Sequence, residues 1–301
     1  MVIIADDIVA VDMHVHLNDE RAQAVKPERA RQMARHFGRQ GSPVSVDEMA
    51  ESYRERKMLA VIMNSTDVTV TGKPSLPNDY VAEVVSRHPD VFLGFGVVDP
   101  WQGALATQEI RRCKELGLVG IGELNPARQH FYPNDDRFYR LWETAAELTL
   151  PVLFHGGYAA AGSGTPGGGG VKLKYARPLH LDEVAADFPD LTIICAHPSW
   201  PWESEALAVA MHKSNVYMDL SGWAPKYMSA EVRQHVNSRV QDKVLFGSDW
   251  PGLAVDRWLG EFRELGLKPE VEQKVLLDNA KRLLGTIRGN SSSHDATAPG
   301  A

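Results

Sequence analysis

The sequence predicts a single (β/α)₈ barrel, the α/β fold class of TIM barrels. Eight short runs rich in β-branched and apolar residues alternate with segments of helical periodicity. The connections are mostly short, and runs such as Ile193-Ile194 lack alternating polarity, as expected for parallel strands that are buried on both faces. A chain of 301 residues could also form two domains. A doubly wound open sheet is the alternative, but no Gly-x-Gly-x-x-Gly pattern follows the first strand.

The predicted elements follow one another in a regular order. Strands are predicted at 8–14, 58–64, 91–98, 118–123, 151–155, 191–196, 216–220 and 243–247. A charged helical stretch extends through about Tyr53, and Asn78 is predicted to cap a helix that ends at Arg87. Further helices are predicted at 103–116, 135–148, 179–188, 202–213, 230–238, 255–265 and 269–284. Together these elements predict one barrel domain over residues 1–286.

Two segments depart from the alternation of strands and helices. Residues 159–171 are rich in glycine and follow the fifth strand, which predicts a long mobile loop over the C-terminal face of the barrel. Their composition fits a lid over a site and an inert insertion equally well. Residues 287–301 have the composition of a disordered tail.

Composition and charge exclude several classes of protein. The chain has 32 Lys and Arg against 39 Asp and Glu, so its net charge of −7 argues against a nucleic-acid binder. No apolar run approaches the ~20 residues of a membrane span, and the N-terminus lacks the features of a signal peptide. The two cysteines, Cys113 and Cys195, form no disulfide framework, so a cytoplasmic location is expected.

Four of the eleven histidines lie at the C-terminal ends of predicted strands. His14 and His16 end the first strand, His155 the fifth and His197 the sixth, and Asp249 follows the eighth. These strand ends form the active-site face of a (β/α)₈ barrel. His14 and His16 are two residues apart on a strand and therefore share a face, and imidazoles are good ligands for Zn²⁺. The pattern predicts a metal site that His155 and Asp249 complete.

Short segments around these residues resemble the signatures of the amidohydrolase superfamily. They are VDMHVHL at 11–17, LFHGG at 153–157, ICAHP at 194–198 and LFGSDWP at 245–251, in the superfamily's order. The last helix, KVLLDNAKRLLG at 274–285, resembles that of the amidohydrolase-related branch. This branch contains aminocarboxymuconate semialdehyde decarboxylase and the γ-resorcylate-type decarboxylases. The resemblance extends over residues 8–285.

The resemblance implies a metal-dependent enzyme with one catalytic divalent ion, usually Zn²⁺ and in some members Mn²⁺. By motif position, the ligands would be His14, His16, His155 and Asp249. His197 corresponds to a catalytic histidine beside the metal, and Asp249 to the residue that carries the reacting proton.

Glu123 ends the fourth strand, where binuclear members of the superfamily place a bridging carboxylate. Its surroundings, Gly120 to Pro126, resemble the Gly-Glu segment of TatD-like deoxyribonucleases. Three roles are open for it: a bridging ligand of a second metal, a contact to substrate or to the metal ligands, and a structural carboxylate. Ligating histidines commonly donate their other N–H to such a carboxylate.

Two reactions fit the same open metal site. The metal can hold a carboxylate substrate for loss of CO₂, or it can activate water for attack on an amide, ester or lactone. The branch resemblance favours a non-oxidative decarboxylase of a small carboxylated aromatic or unsaturated acid, with the hydrolase as the alternative. A barrel that had become a binding protein without catalysis would have lost ligand positions, all of which are present here.

The expected partner is a small carboxylate substrate, not nucleic acid or membrane. Trp200 and Trp250 follow late strands and could wall an aromatic ring, although packing explains such residues equally well. Arg128 follows the fourth strand and is a candidate contact for the substrate anion, although a solvated surface charge is an equal alternative. Branch members are often dimers or tetramers, so the resemblance implies a homo-oligomer.

Overall fold

The computed structural model describes residues 4–38 and 42–286 and contains one parallel eight-stranded sheet in sequential order. Its strands are β1 (Ala10–His16), β2 (Met58–Met63), β3 (Phe92–Gly96), β4 (Gly120–Leu124), β5 (Val152–His155), β6 (Ile193–Ala196), β7 (Val216–Asp219) and β8 (Val244–Leu245). The first and last strands meet where the backbone N–H of Met13 donates to Phe246 O (2.9 Å) and that of Asp249 to His14 O (2.9 Å). The predicted (β/α)₈ barrel is therefore confirmed, and the open doubly wound sheet is excluded.

Helices follow the strands around the outside of the barrel. They are α1 (Glu20–Val25), α2 (Pro27–His36), α3 (Val46–Glu55), α4 (Val68–Thr71), α5 (Asn78–Arg87), α6 (Ala104–Glu115), α7 (Pro126–Gln129), α8 (Tyr139–Glu147), α9 (His180–Asp187), α10 (Glu203–His212), α11 (Ala230–Val236), α12 (Val255–Arg263), α13 (Pro269–Gln273) and α14 (Asn279–Gly285). Short 3₁₀ segments lie at Pro100–Gln102, Asp136–Phe138, Pro166–Gly170, Leu173–Ala176 and Pro225–Tyr227. A π-helical turn, Lys274–Asp278, interrupts the helix predicted at 269–284.

The predicted cap of α5 is wrong. Pro77 occupies the N-cap position, and Asn78 is the first helical residue. The Asn78 side chain instead bonds the backbone of Val97, donating to its carbonyl over 2.9 Å and accepting from its N–H over 2.8 Å. Asn78 therefore joins the start of α5 to the end of β3.

An irregularity in β1 aims its two histidines into the barrel. The pairing of β1 with β2 shifts register between Asp12 and Val15. Val11 and Met13 belong to the cluster of side chains that fills the barrel interior, whereas Val15, after the shift, belongs to the layer between strands and helices. A bulge of this kind changes which residues face inward. His14 and His16 therefore reach the barrel mouth above the apolar interior.

The mouth is covered on one side by α2 and by the glycine-rich segment 159–171. Gln32 Nε2 on α2 donates to the carbonyls of Ala160 (3.0 Å) and Ser163 (3.4 Å). The segment lies over the C-terminal face, where it was expected. Its 3₁₀ turn contains three glycines with φ between 59° and 61°, a left-handed backbone that glycine adopts without strain. Its mobility stays a prediction, and the predicted tail, 287–301, lies outside the described residues.

Candidate active site

The predicted site residues come from β1, β5, β6 and the segment after β8, and they meet at the barrel mouth. His14, His155, His197 and Asp249 are buried or nearly so, while the His16 side chain keeps 21% of its surface exposed. Residues 235 positions apart along the chain thus share one cluster, as a barrel with sequential strands requires.

His14, His16 and Asp249 form one ligand group. Nε2 of His14 lies 3.3 Å from Nε2 of His16. Asp249 Oδ1 lies 3.3 Å from His16 Nε2 and 3.8 Å from His14 Nε2. Two imidazole nitrogens and one carboxylate oxygen therefore face a common point, which is an arrangement that divalent zinc or manganese accepts.

His155, Glu123 and His197 form a second group beside the first. His155 Nδ1 lies 2.6 Å from Glu123 Oε1 and 2.9 Å from His197 Nε2. Glu123 Oε2 also lies 3.7 Å from His16 Nε2, so this carboxylate joins the two groups. The four predicted ligands are consequently divided: three share one point, and His155 lies in the adjoining group. Glu123 is placed within the cluster, where it contacts the histidines.

Asp219, at the end of β7, is a site residue that sequence reasoning missed. Its Oδ2 accepts from His14 Nδ1 over 3.1 Å, and its Oδ1 accepts from the backbone N–H of His197 over 3.1 Å. Both side chains of the Asp219–His14 pair are fully buried. A single aspartate has no spacing signature, and the only available signal was its position at the end of a predicted strand.

In three imidazole rings, the nitrogen that points away from the centre of the cluster faces a hydrogen-bond acceptor. His14 Nδ1 bonds Asp219, His16 Nδ1 bonds Met63 O (3.3 Å), and His197 Nδ1 bonds Ser221 O (3.0 Å). In a neutral imidazole, an acceptor on one ring nitrogen places the ring proton there and leaves the other nitrogen with a lone pair. When these rings are neutral, their lone pairs therefore face the centre of the cluster, as those of metal ligands do.

Three carboxylates concentrate negative charge in the cluster. Burial raises the pKa of Asp219, but His14 and His197 outweigh this effect and lower the pKa to about 2. Burial likewise raises the pKa of Asp249 and of Glu123, and the neighbouring histidines bring both pKa values below their usual range. Burial lowers the pKa of His14, but the carboxylates around it raise that pKa to about 10.

This charge distribution fits a bound cation. Ionised carboxylates buried at this density need a compensating positive charge, because a buried unpaired charge is strongly unfavourable. In the metal-free protein the proton on His14 supplies part of this positive charge. A divalent ion bound by His14, His16 and Asp249 would also supply positive charge, and these three residues are suitable ligands for such an ion. The donor set therefore fits a metal centre.

Left-handed backbone conformations place two of the site side chains. His197 has φ of 69° and Asp249 has φ of 58°, a region that residues other than glycine rarely adopt. Each residue comes directly after its strand or within a few positions of it. Such conformations cluster at functional sites, where the surrounding structure stabilises them.

A cavity of about 580 Å³ opens above the cluster. Its floor includes His16, His155, His197 and Asp249, and its upper wall includes Ala159 to Ala161 of the glycine-rich segment. Aromatic side chains form much of the remaining wall: His36, Phe37, Tyr158, Trp200, Trp223 and Tyr227. Trp200 lines this cavity and is 48% exposed.

Trp250 and Arg128 occupy other positions. Among the described residues, neither is part of this cavity wall. The Trp250 ring packs against the layer between strands and helices. Arg128 is buried, pairs with Asp67 and donates to Ser65 Oγ over 3.1 Å. These contacts favour a structural role for Arg128 over contact with substrate.

Comparison with known proteins places the chain in a family. Residues 11–286 match the model of the Amidohydro_2 family, described as amidohydrolase. The chain belongs to the amidohydrolase family. This membership confirms the predicted resemblance, and the family match covers nearly all the described residues.

Three proteins that the chain resembles share a quarter or less of its residues. The chain is 24% identical to the gamma-resorcylate decarboxylase of Polaromonas sp. (strain JS666), over 74% of this chain and 78% of that protein. A TIM-barrel protein of uncharacterised function from Bordetella bronchiseptica has a TM-score of 0.76 and 25% identity, covering 92% of this chain and 98% of its own. A dihydroxybenzoic acid decarboxylase from Polaromonas sp. JS666, solved with manganese and the inhibitor 2-nitroresorcinol, has a TM-score of 0.63 and 18% identity, covering 93% and 98%. The last of these likenesses shows the fold alone.

Within residues 4–38 and 42–286, none of the helices has both the length and the apolar character needed to cross a membrane.

Proposed function

We propose that this member of the amidohydrolase family is a divalent-metal-dependent decarboxylase of a small aromatic carboxylic acid. The observation that carries the proposal is the position of Asp249. Its carboxylate belongs to the ligand group with His14 and His16, and the same residue lines the cavity with the aromatic walls. A group that can hold or move a proton therefore lies beside the place where a substrate would bind. Similarity to a gamma-resorcylate decarboxylase supports the same substrate class.

His14, His16 and Asp249 would hold the metal ion, with His155 and Glu123 beside it. Zinc and manganese both accept imidazole and carboxylate ligands. When bound, the ion supplies a Lewis acid that attracts the carboxylate and a neighbouring oxygen of the substrate. Asp219 would keep His14 in the orientation that presents Nε2.

Asp249 is proposed to move the proton that decarboxylation requires. In the reaction, the bond between the ring carbon and the carboxylate breaks, CO₂ leaves, and a proton takes its place on carbon. The lowered pKa of Asp249 means that its carboxylate begins ionised. It must therefore first accept a proton and then deliver it to the ring carbon. The proton comes from an acidic group of the substrate, or from a water molecule whose hydroxide combines with the released CO₂ as bicarbonate.

His197 and the aromatic wall complete the proposed arrangement. His197 Nδ1 donates to Ser221 O, which fixes the ring with Nε2 toward the cluster. From there it can orient the substrate. Tyr158, Trp200 and Trp223 line the same cavity and can pack against a flat ring while excluding water.

The test is CO₂ release from hydroxybenzoates by the protein loaded with zinc or with manganese. The panel would include 2,6-dihydroxybenzoate, and hydrolysis of lactones, esters and amides would be followed in parallel. We expect CO₂ release and a ring product carrying a solvent-derived proton. Hydrolysis without any CO₂ release would contradict the proposal and favour the second reaction that the same residues can perform, in which Asp249 takes the proton from water.

A further inference from the structure

A separate cavity of about 840 Å³, here named the outer cavity, lies between α2 and the glycine-rich segment. Ala161 lines both this cavity and the aromatic-walled one, so the two adjoin at the glycine-rich segment. Within the described part of the chain, the lining of the outer cavity includes none of the residues of the proposed metal centre. It is therefore a distinct place where a ligand could bind.

Positive side chains dominate the lining of the outer cavity. Five cationic residues from three parts of the chain line it, against two carboxylates. The five are Lys26, Arg31, Arg35, Lys73 and Arg128. The whole chain has a net charge of −7, so this local excess of three positive charges runs against its overall composition. A concave surface with one sign of charge raises the local concentration of ligands of the opposite sign.

Both carboxylates of the outer cavity already have cationic partners. Glu28 Oε2 lies 3.1 Å from Lys73 Nζ. Asp67 is buried and pairs with both Lys26 and Arg128, so one carboxylate serves two cations. These pairs use all the negative charge that the lining of the cavity supplies.

Arg31 and Arg35 are the remaining cations of the outer cavity. Both are exposed, and among the residues that the structure describes neither has a carboxylate oxygen within 4 Å. They are four residues apart on α2 and therefore lie on one face of the helix. Like charges at this spacing weaken a helix, so helix stability does not explain the pair. A bound anion would bring the two guanidinium groups the negative charge that their surroundings lack.

The glycine-rich segment forms the opposite wall of the outer cavity, and contacts hold it in place. Gln32 of α2 donates to two carbonyls of the segment, and His130 Nε2 lies 2.8 Å from Gly170 O. Residues 161–171, which include this wall, contain no charged side chain. An anion between the two walls would therefore meet positive charge on one side and no negative charge on the other.

We propose that the outer cavity binds a small molecule that carries two or more phosphate groups, which Arg31 and Arg35 hold. A guanidinium presents parallel N–H donors that match the oxygens of a phosphate, and such charge-assisted bonds are strong. Each phosphate adds roughly 1.5 to 2 negative charges at neutral pH, so two phosphates match the excess of three positive charges. The site does not depend on the proposed decarboxylation.

The shape of the outer cavity favours a small ligand over nucleic acid. Proteins that bind nucleic acid present a basic stripe or face that follows the phosphate backbone, and their domains are usually basic. Here the cations converge on one concavity of a chain whose net charge is negative. Nucleic-acid binding is therefore an outcome that the test must distinguish.

The test measures binding of inorganic pyrophosphate to the metal-loaded protein by calorimetry at low salt. We expect binding that weakens as the NaCl concentration rises, because salt screens exposed charges. Arg31→Gln and Arg35→Gln should each weaken binding roughly tenfold, the size of one charge-assisted hydrogen bond. Glutamine has nearly the helix propensity of arginine, so α2 should stay folded, which circular dichroism checks.

Matched controls separate the outer cavity from other anion sites. Arg111→Gln, at an exposed arginine of α6 that pairs with Glu147, should bind pyrophosphate like the wild type. Citrate carries its charge on three separate carboxylates, so it should bind more weakly than pyrophosphate. Pyrophosphate bound to the metal ion instead would keep its affinity in the Arg31 and Arg35 variants.

Four results would overturn the proposal. They are absence of pyrophosphate binding by the wild type, unchanged affinity in both arginine variants, citrate binding as tightly as pyrophosphate, and tighter binding of a short single-stranded oligonucleotide. A loss confined to the Arg31 and Arg35 variants would support the phosphate site even in a protein that releases no CO₂ from any acid. Release of CO₂ by a protein that does not bind pyrophosphate would support the proposed function and exclude the phosphate site.

Discussion

Asp219 Oδ2 accepts a hydrogen bond from His14 Nδ1 over 3.1 Å, and both side chains are fully buried. The two residues are 205 positions apart and lie at the ends of β7 and β1. The same aspartate accepts hydrogen bonds from the backbone N–H groups of His197 and Ser221 (3.1 and 2.9 Å). It therefore connects the chain at His14, His197 and Ser221. It also fixes the orientation of the His14 ring, so that Nε2 faces the proposed metal.

Asp219→Asn should weaken metal binding while the protein still folds. The amide cannot both accept from His14 and reproduce the charge that orients the ring. Replacement of such partners typically costs 10- to 100-fold in metal affinity. Competition with a coloured chelator measures the dissociation constant. Asp256→Asn, at an exposed aspartate that pairs with Arg56, is the matched control and should bind metal like the wild type. Equal affinity in the two variants would contradict this role of Asp219.

Asp249→Asn should remove activity in either of the two candidate reactions. The asparagine amide can neither accept a proton nor return it, and loss of a general acid–base residue usually lowers the rate by roughly 10²- to 10⁴-fold. Turnover should be measured together with metal content, because Asp249 is also a proposed ligand. A variant that keeps its metal and full activity would rule out the assigned proton transfer.

Removal of metal should lower thermal stability. An ion that binds the folded protein alone adds about 2.7 kcal/mol when its free concentration is 100 times its dissociation constant. Dialysis against a chelator should therefore lower Tm, and addition of Zn²⁺ or Mn²⁺ should restore it. Elemental analysis of the purified protein checks the stoichiometry. A Tm that responds to neither chelator nor metal would contradict the proposed centre.

The sequence predicts most of the site but not the contacts between its parts. Five site residues can be identified from the sequence because each lies at or just after the end of a predicted strand within a short motif, and the strand ends of a barrel must converge. They are His14, His16, His155, His197 and Asp249. Asp219 also lies at the end of a strand, but a lone aspartate has no motif that distinguishes it from a loop residue. Its role depends on its partners, which only three-dimensional contacts reveal.

For Arg128, the sequence suggests a contact with substrate, whereas its contacts in the structure favour a structural role. An arginine after a barrel strand is a reasonable candidate for a substrate anion. Its partner, Asp67, lies 61 positions earlier, after β2, so the sequence gives no indication that the charge is already neutralised. Pairing across neighbouring strand ends is a property of the closed barrel and becomes visible only with the fold.

The buried pair of Asp67 and Arg128 predicts a dependence of stability on pH. Burial raises the pKa of Asp67, but Arg128 and Lys26 outweigh burial and bring that pKa well below its usual range. Because folding lowers this pKa, the stabilisation is fully present above the unfolded value of about 4 and is lost as pH falls through the folded value.

Asp67→Asn should therefore unfold more easily than the wild type at pH 7, by about 3 kcal/mol, the low end for breaking a buried ion pair. The difference should narrow as pH falls below about 4, because the unfolded wild type then protonates Asp67, and it should disappear only below the lowered pKa of the folded state, where both states are protonated. Denaturant titrations at several pH values measure it. Asp242→Asn, at an exposed pair with Lys274, should change the free energy of unfolding by less than about 1 kcal/mol. A constant difference down to the lowest pH would contradict the ionic origin.

Gly222 offers a test of the site that changes none of its functional side chains. A Cβ atom at this position would lie 2.7 Å from His197 Nδ1 and 3.2 Å from Asp249 Oδ2, and its φ of 73° is unfavourable for alanine. Gly222→Ala should displace the His197 ring and lower kcat/KM at least tenfold.

Gly260→Ala is the control for this substitution. Gly260 lies within α12, and nothing would lie within 4 Å of an added Cβ. Alanine in the interior of a helix is favoured over glycine by roughly 0.5–1 kcal/mol, so this variant should be slightly more stable and fully active. Full activity in Gly222→Ala, measured beside that control, would mean that catalysis does not depend on the placement of His197 against Asp249. A loss confined to Gly222→Ala, with metal content unchanged, would attribute the defect to the position of the His197 ring.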